Sequence, residues 1–449
     1  NDPDFEYYLF GSTLYWYGCG AWNDKSKFSR REKAKYRLLS PPSVSTIFER
    51  NEEWIFYTFS SILTEDLIKA NNYVSTDKGY YSNLTRKEKN NLNYIKWIPR
   101  SLSGTPQYFN SKKYDLWKLY IELGRPPDYF VTITQDPNNP FVSSYIHNNK
   151  SKGLSGKKLL DVLLLFRDEL LDSKNNFRFF GDEVINHFVR LEAQCRNGRL
   201  HLHILIWVKN PLPKINPDDP DSLHPGKTTA FVPEEGEDDP LLELLEYCGF
   251  HDCSKKPKCN YKICENCPDV AKRLEKNRNL NVNKIYKRFI HNRCTACENE
   301  SWCWYGLGPS CQTTNTPYVD KFGRFMNARN EQSKCAAARI DNISFAFRVH
   351  TCVMRCTDKE FSEYLCSYML KHESALRLKH NVNTSDLKNV NKYIATQLHS
   401  TQDCIFSIID GKYASLKKGH GVTFINTSEN TYKRRNFKTK SGYFKSKFE

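Results

Sequence analysis

The sequence lacks several features that define common classes of protein. It has no run of roughly 18 or more apolar residues, so no membrane-spanning helix is predicted. It has no GxxxxGK[ST] phosphate loop, which argues against nucleotide hydrolysis by that route. The chain begins at Asn1, and no charged-then-apolar leader follows. We therefore expect a mature product or, more readily, a piece of a longer protein.

The composition is that of a folded and strongly basic protein. The 449 residues are 39% hydrophobic and 14% aromatic, enough to bury roughly two or three domain cores. The formal net charge is +16, which indicates a polyanionic partner. Such a charge can also serve solubility alone. Because the basic residues are interleaved with aromatic ones, nucleic acid is the favoured partner.

The order of predicted elements suggests a mixed α+β protein. The N-terminal region reads as mainly helical, and beyond it strands and helices alternate until a basic tail. A solvated acidic linker is expected over 211–246. The predicted elements are a helix from Trp54 to Ala70, a strand Tyr129–Thr134, a helix Lys158–Leu171, strands Val184–Gln194 and Leu200–Val208, a strand Ile343–Met354, and a helix that begins at a capping box, Thr357 to Glu360, and continues to about His372.

A pair of histidines in one predicted strand is a candidate metal site. His201 and His203 alternate along the strand, so both imidazoles point to one face. A two-residue turn at Asn197-Gly198 would pair His201 with Gln194 and His203 with Glu192, about 5 Å apart at Cβ. Two imidazoles and one oxygen ligand suit Mg²⁺ or Mn²⁺ for phosphate chemistry, and the imidazoles would equally suit Zn²⁺. The alternative is a hairpin with two satisfied histidines.

Tyr364 and Tyr368, on the last predicted helix, are the candidate nucleophiles. Tyrosine can form a covalent intermediate, and a nearby metal can polarise the phosphate it attacks. Lys371 lies one helical turn beyond Tyr368 and could stabilise the charge on the phosphate. The alternative is that it is a surface lysine. By themselves the two tyrosines would be read as core aromatics. They belong to one apolar stripe at helical spacing: Phe361, Tyr364, Leu365, Tyr368 and Met369.

The middle of the chain contains a cysteine block that predicts structural zinc. Of the 16 cysteines, nine lie in this block, and they include two CxxC pairs with zinc-knuckle spacing. A disulfide framework is expected in small secreted domains, whereas this is a large chain without a leader. The alternative is a set of buried free thiols. The predicted zinc-binding residues are Cys248, Cys253, Cys259, Cys264, Cys267, Cys294, Cys297, Cys303 and Cys311.

Four stretches in this order resemble the Rep nuclease region of Helitron rolling-circle transposases, over about residues 90–375. Tyr364-Leu365-Cys366-Ser367-Tyr368 with Lys371 is similar to the family's Y-L-x-K-Y-x-x-K, although Ser367 replaces a lysine. Glu192 to His203 is similar to E-x-Q-K-R-G-L-P-H-x-H with one extra residue. The other two stretches are Gly104-Thr105-Pro106-Gln107-Tyr108, and Gly124-Arg125-Pro126-Pro127-Asp128 leading into Phe130-Val131-Thr132-Ile133-Thr134 and Pro137.

The resemblance implies a fold and an activity. The fold would be an α+β His–hydrophobe–His (HUH) nuclease core, in which helices flank a central antiparallel sheet, with a helical N-terminal domain and a Cys-rich zinc-binding insertion. The implied boundaries are an N-terminal DNA-binding domain at 1–112, the core at 113–210 and 331–415, the linker and zinc insertion at 211–330, and a basic tail at 416–449.

The implied activity is metal-dependent cleavage and joining of single-stranded DNA through a 5′-phosphotyrosine. His201 and His203 would bind the metal with Glu192 or Gln194, and Tyr364 and Tyr368 would be the nucleophiles. The resemblance further implies that the partners are transposon ends and a helicase domain outside this chain, and that the protein is located in the nucleus. The alternatives are a viral or plasmid rolling-circle replication initiator or relaxase, and a non-catalytic zinc-stabilised DNA-binding protein.

Overall fold

The structure, a computed structural model, describes residues 5–76, 106–135, 152–231, 313–369 and 400–416, apart from gaps at 16–20, 23–26, 194–199, 217, 331–332, 334–335, 348 and 350. Within these ranges helices surround an antiparallel sheet, which confirms the α+β prediction. No helix in the described part is long and apolar enough to cross a membrane. The main helices are Phe5–Leu14, Arg30–Leu39, Pro42–Glu49, Glu52–Thr76, Pro106–Leu123, Lys152–Leu171, Asn176–Phe180, Asp341–Phe347 and Thr401–Ile409.

Five strands form the central sheet: β1 (Tyr129–Thr134), β2 (Val184–Ala193), β3 (Leu200–Val208), β6 (Thr351–Arg355) and β7 (Ala414–Leu416). Their order is β6-β1-β3-β2-β7, and every neighbouring pair is antiparallel. The central strand β3 is buried along almost its whole length. This explains its nearly continuous apolar sequence, because a strand covered on both faces has no solvent side. A separate hairpin pairs β4 (Tyr318–Val319) with β5 (Phe325–Met326).

The two faces of the sheet are covered by different helices. On one face Gln135, which follows β1, donates to the Leu159 carbonyl of helix Lys152–Leu171 at 3.1 Å. Gln402 of helix Thr401–Ile409 accepts from the Leu200 amide of β3 at 2.9 Å. The opposite face carries His201 and His203, and we call it the histidine face. Helix Pro106–Leu123 and the helix that bears the tyrosines cover it.

The helical prediction for the N-terminal region agrees with its described part. The predicted Trp54 to Ala70 helix lies within Glu52–Thr76. A buried ion pair, Arg37 to Glu6 at 2.7 Å, and a bond from Trp54 Nε1 to the same carboxylate at 3.0 Å join three of these helices. Their apolar side chains are continuous with the core around the sheet. The domain boundaries remain predictions.

The strand predicted over Ile343–Met354 is wrong in its first half. Residues Asp341–Phe347 form a helix, and strand β6 begins only at Thr351. Ile343 and Phe347 are four residues apart and both buried, and the Phe347 ring stacks on Phe166 with centroids 4.6 Å apart. A short apolar run fits either period, and here tertiary packing selected the helix.

The first part of the predicted solvated linker, residues 211–231, is attached to the core. Arg355 at the end of β6 donates to carbonyls of Pro213, Ser222 and His224. Thr229 pairs with Arg339 as an isolated β-bridge. Prolines and acidic residues alone do not reveal these contacts, since the backbone supplies the acceptors. The rest of the linker and the cysteine block lie outside the described residues.

Candidate metal and tyrosine site

The β2–β3 hairpin pairs in a different register from the predicted one. Glu192 lies opposite His201, and Arg190 lies opposite His203. The described pairing extends to Ala193 and Leu200, and the predicted turn at Asn197-Gly198 lies outside the described residues. Buried apolar pairs on the other face, such as Leu191 with Leu202, fix this register. Because the shift is two residues, the histidines and Glu192 keep a common face.

His203 is held in a defined orientation at the centre of the histidine face. It is only 3% exposed. Its Nδ1 lies 3.0 Å from the hydroxyl of Thr132, its cross-strand neighbour on β1. Its Nε2 lies 3.2 Å from Oε2 of Glu192. A partner on one ring nitrogen orients the other, which is how proteins commonly prepare a histidine for metal binding.

Glu192 supplies a negative charge next to His203. Burial raises the pKa of Glu192. The contact with His203 and the charge of Arg190 lower it by more than this, and the resulting pKa is about 2. Its Oε2 is buried, and among the described residues it has no partner with hydrogen-bond geometry, although His203 is at ion-pair distance. An ionised, incompletely satisfied carboxylate beside an imidazole is a donor set that fits a divalent cation.

The remaining predicted ligands are only partly brought together. His201 is half-buried, and its ring centroid lies 6.3 Å from that of His203. Gln194 lies outside the described residues. Within the described ranges, no cluster of three or more histidine, cysteine, aspartate or glutamate side chains already has the arrangement of a metal site. Of the predicted ligands, His203 and Glu192 are thus the two that lie within 3.2 Å of each other.

Tyr368 lies against His203 from the helix that covers the histidine face. The two ring centroids are 5.4 Å apart with the planes at 80°, and the Phe130 ring lies 6.2 Å from Tyr368. The side chain of Tyr364 and all of Lys371 lie outside the described residues. Of the predicted nucleophiles, Tyr368 is therefore the one seen next to a predicted ligand.

The tyrosine helix, as we call it, is less regular than the sequence predicts. Thr357 caps it as expected, accepting from the Glu360 amide at 3.0 Å. The predicted helix is present over the described residues Asp358 to Tyr368, and it widens into a π-helical turn that contains Tyr364. Such turns are frequent at functional sites. Its consecutive segments are Asp358–Glu360, Phe361–Leu365 and Cys366–Tyr368.

Arg190 connects the hairpin to the tyrosine helix, and sequence reasoning missed it. Its side chain is fully buried, and Nη1 donates to the carbonyls of Tyr368, at 3.3 Å, and Met369. The guanidinium also lies over the Phe109 ring, 4.9 Å from its centroid. A signal was present, because Arg190 and Glu192 alternate along β2 and so share the face of the histidines.

Sheet, hairpin and tyrosine helix define an α+β protein with a His-x-His strand facing a tyrosine. Residues 43–206 match the family model described as "Helitron helicase-like domain at N-terminus". The match covers less than half of the chain but includes both histidines and ends before the tyrosine helix. No curated protein matches the chain. The resemblance found in the sequence is thereby confirmed over residues 43–206, which are similar to the N-terminal domain of the Helitron family.

Proposed function

We propose that this chain is the Rep domain of a Helitron-like rolling-circle transposase, a metal-dependent endonuclease and strand transferase on single-stranded DNA with an HUH nuclease core. The observation that carries the proposal is the packing of Tyr368 on His203, with Glu192 at 3.2 Å from the same histidine. The family match favours transposition over a viral or plasmid replication initiator, whose chemistry would be the same.

His201 and His203, with Glu192 or Gln194, would hold Mg²⁺ or Mn²⁺. The ionised state of Glu192 and the fixed ring of His203 support this assignment. A bound divalent ion supplies positive charge that polarises a phosphodiester. Thr132 keeps the ring oriented through Nδ1, so the nitrogen that faces Glu192 stays available. The half-buried His201, which lies opposite Glu192, would complete the set.

The tyrosines perform the covalent step. The phenolic oxygen of Tyr364 or Tyr368 attacks the scissile phosphorus and loses its proton to solvent or to a nearby base. A phosphotyrosine bond to the 5′ side forms, the bond to the 3′ oxygen breaks, and that oxygen takes a proton to become a 3′-OH. The phosphotyrosine conserves the energy of the broken linkage, so rejoining needs no ATP. Lys371 would stabilise charge on the phosphate.

Phenylalanine substitutions test this assignment, because they keep the aromatic packing and remove the nucleophile. We expect the Tyr364→Phe, Tyr368→Phe double variant to form no covalent adduct with labelled single-stranded oligonucleotide and Mn²⁺ in denaturing gels. Of the single variants, Tyr368→Phe is expected to lose more of the first cleavage. An adduct in the double variant would place the nucleophile elsewhere. Loss of all cleavage in one single variant would indicate a one-tyrosine nickase.

The cysteine block is proposed to bind one or two structural zinc ions. Protein purified without chelator is expected to contain zinc, and serine at Cys264 and Cys267 is expected to lower the amount per chain. Cys352→Ser is the matched control, since this half-buried free thiol lies outside the block. Metal analysis by mass spectrometry reads both variants. Zinc-free wild-type protein would contradict the proposal.

The partners follow from the same proposal. They are single-stranded DNA and transposon ends, together with a helicase domain outside this chain, and a nuclear location suits an enzyme that acts on chromosomal DNA. The N-terminal helices and the basic tail would add DNA contacts through the net charge of +16.

A further inference from the structure

A tightly closed turn lies between β4 and β5, and we call it the Phe322 turn, residues 320–324. Asp320 organises it from both its backbone and its side chain. The carboxylate accepts from the amides of Phe322 and Arg324, both at 2.9 Å, and from the Arg324 guanidinium at 2.7 Å. The Asp320 carbonyl accepts from the Gly323 amide at 2.9 Å. This bonding fixes the backbone of the turn.

The turn presents an aromatic ring to solvent next to two basic side chains, of which Arg324 is ion-paired with Asp320. Phe322 is 50% exposed. The ammonium of Lys321 and the guanidinium of Arg324 each lie 5.1 Å from its ring centroid. A large apolar ring that stays half-exposed on a rigid turn contributes little to the stability of the fold. An aromatic face flanked by positive charge is, however, the chemistry that binds single-stranded nucleic acid.

The turn is joined to the start of the tyrosine helix. The Thr357 hydroxyl donates to the Gly323 carbonyl at 2.6 Å. Gly323 has φ +79°, and a Cβ there would lie 2.6 Å from Cδ of Lys359. Tyr368 lies 11 residues beyond Thr357 along this helix, at most about 16 Å at the α-helical rise, because the π-helical turn shortens the path. A single strand of DNA bound at Tyr368 would reach the Phe322 turn within a few nucleotides.

We propose that Phe322 is a base-stacking contact for the single-stranded DNA substrate, with Lys321 and Lys359 beside it neutralising backbone phosphates. This inference rests on the proposed function for the identity of the strand. The occupant must be single-stranded, because duplex bases stack on one another and offer no free face to the ring. Stacking on a phenyl ring is tolerant of sequence, so the contact sets the path of the strand rather than its sequence.

Abasic scanning of the oligonucleotide tests the contact directly. The 449-residue chain, purified without chelator and assayed without added Mg²⁺ or Mn²⁺, is titrated into fluorescent oligonucleotides that each lack one base. Wild-type protein is expected to bind about 10-fold more weakly when the missing base is the one on Phe322. Phe322→Ala should weaken binding of the intact oligonucleotide by the same factor and show no further loss at that position. Phe322→Trp should restore it.

Phe177→Ala is the matched control, because Phe177 is 67% exposed in the short helix Asn176–Phe180, and it is expected to bind as the wild type does. Unchanged affinity of Phe322→Ala, or an equal loss for duplex DNA, would overturn the inference. So would an abasic profile that Phe322→Ala leaves intact. Covalent adduct formation is measured separately: its absence with the Phe322 effect present would refute the nuclease proposal and leave the stacking contact standing.

Discussion

Alanine at both His201 and His203 is expected to lower the rate of DNA cleavage by at least about 100-fold, since an ion that stabilises a developing charge contributes several kcal/mol. Affinity for single-stranded DNA is expected to stay within about twofold, because phosphate contacts spread over the surface supply most of it. Binding of Mn²⁺, followed by electron paramagnetic resonance, should be lost together with cleavage.

The control for this variant lies on the same hairpin. His187 is on β2 and faces away from the histidine face, because it differs from Glu192 by an odd number of residues. His187→Ala should retain both Mn²⁺ binding and cleavage. The metal assignment fails if His187→Ala is as impaired as the double variant, or if the double variant still cleaves at the wild-type rate.

Replacement of Arg190 by methionine is expected to destabilise the protein by about 3 kcal/mol. The guanidinium is fully buried and donates to the Tyr368 and Met369 carbonyls, and charged hydrogen bonds of this kind contribute roughly 1.5–3 kcal/mol each. Methionine fills similar space but leaves both carbonyls without their donor. Urea unfolding of the wild type and the variant measures the change.

Arg190 is also expected to act as a positioning residue for the tyrosine. Arg190→Lys keeps the charge but loses the planar fork, so the folded variant should bind Mn²⁺ normally and form less phosphotyrosine adduct. Arg167→Met is the matched control, because this guanidinium pairs with the exposed Asp168 at 2.8 Å and should cost at most about 1 kcal/mol. Normal adduct formation by folded Arg190→Lys would limit Arg190 to a structural role.

Local patterns were enough to predict the strands that build the site. Tyr129–Thr134 and Leu200–Val208 occur within the predicted bounds, because β-branched and aromatic runs between turn residues have few other solutions. The alternation of His201 and His203 placed both on one face without any knowledge of their partners. The same kind of pattern could not separate helix from strand at Ile343 to Phe347. There, packing of the Phe347 ring against neighbouring aromatic rings selected the helix.

The sequence by itself determined the composition of the candidate site: two histidines on one face of a strand, a glutamate on the preceding strand, and a tyrosine pair on a later helix. Only the tertiary structure decided which of these side chains come into contact. Burial of Leu191 and Leu202 on the far face set the register that puts Arg190, not Glu192, opposite His203. Contacts between residues nearly 180 positions apart, such as Arg190 with Tyr368, depend on how helices pack over the sheet, and no local period encodes that.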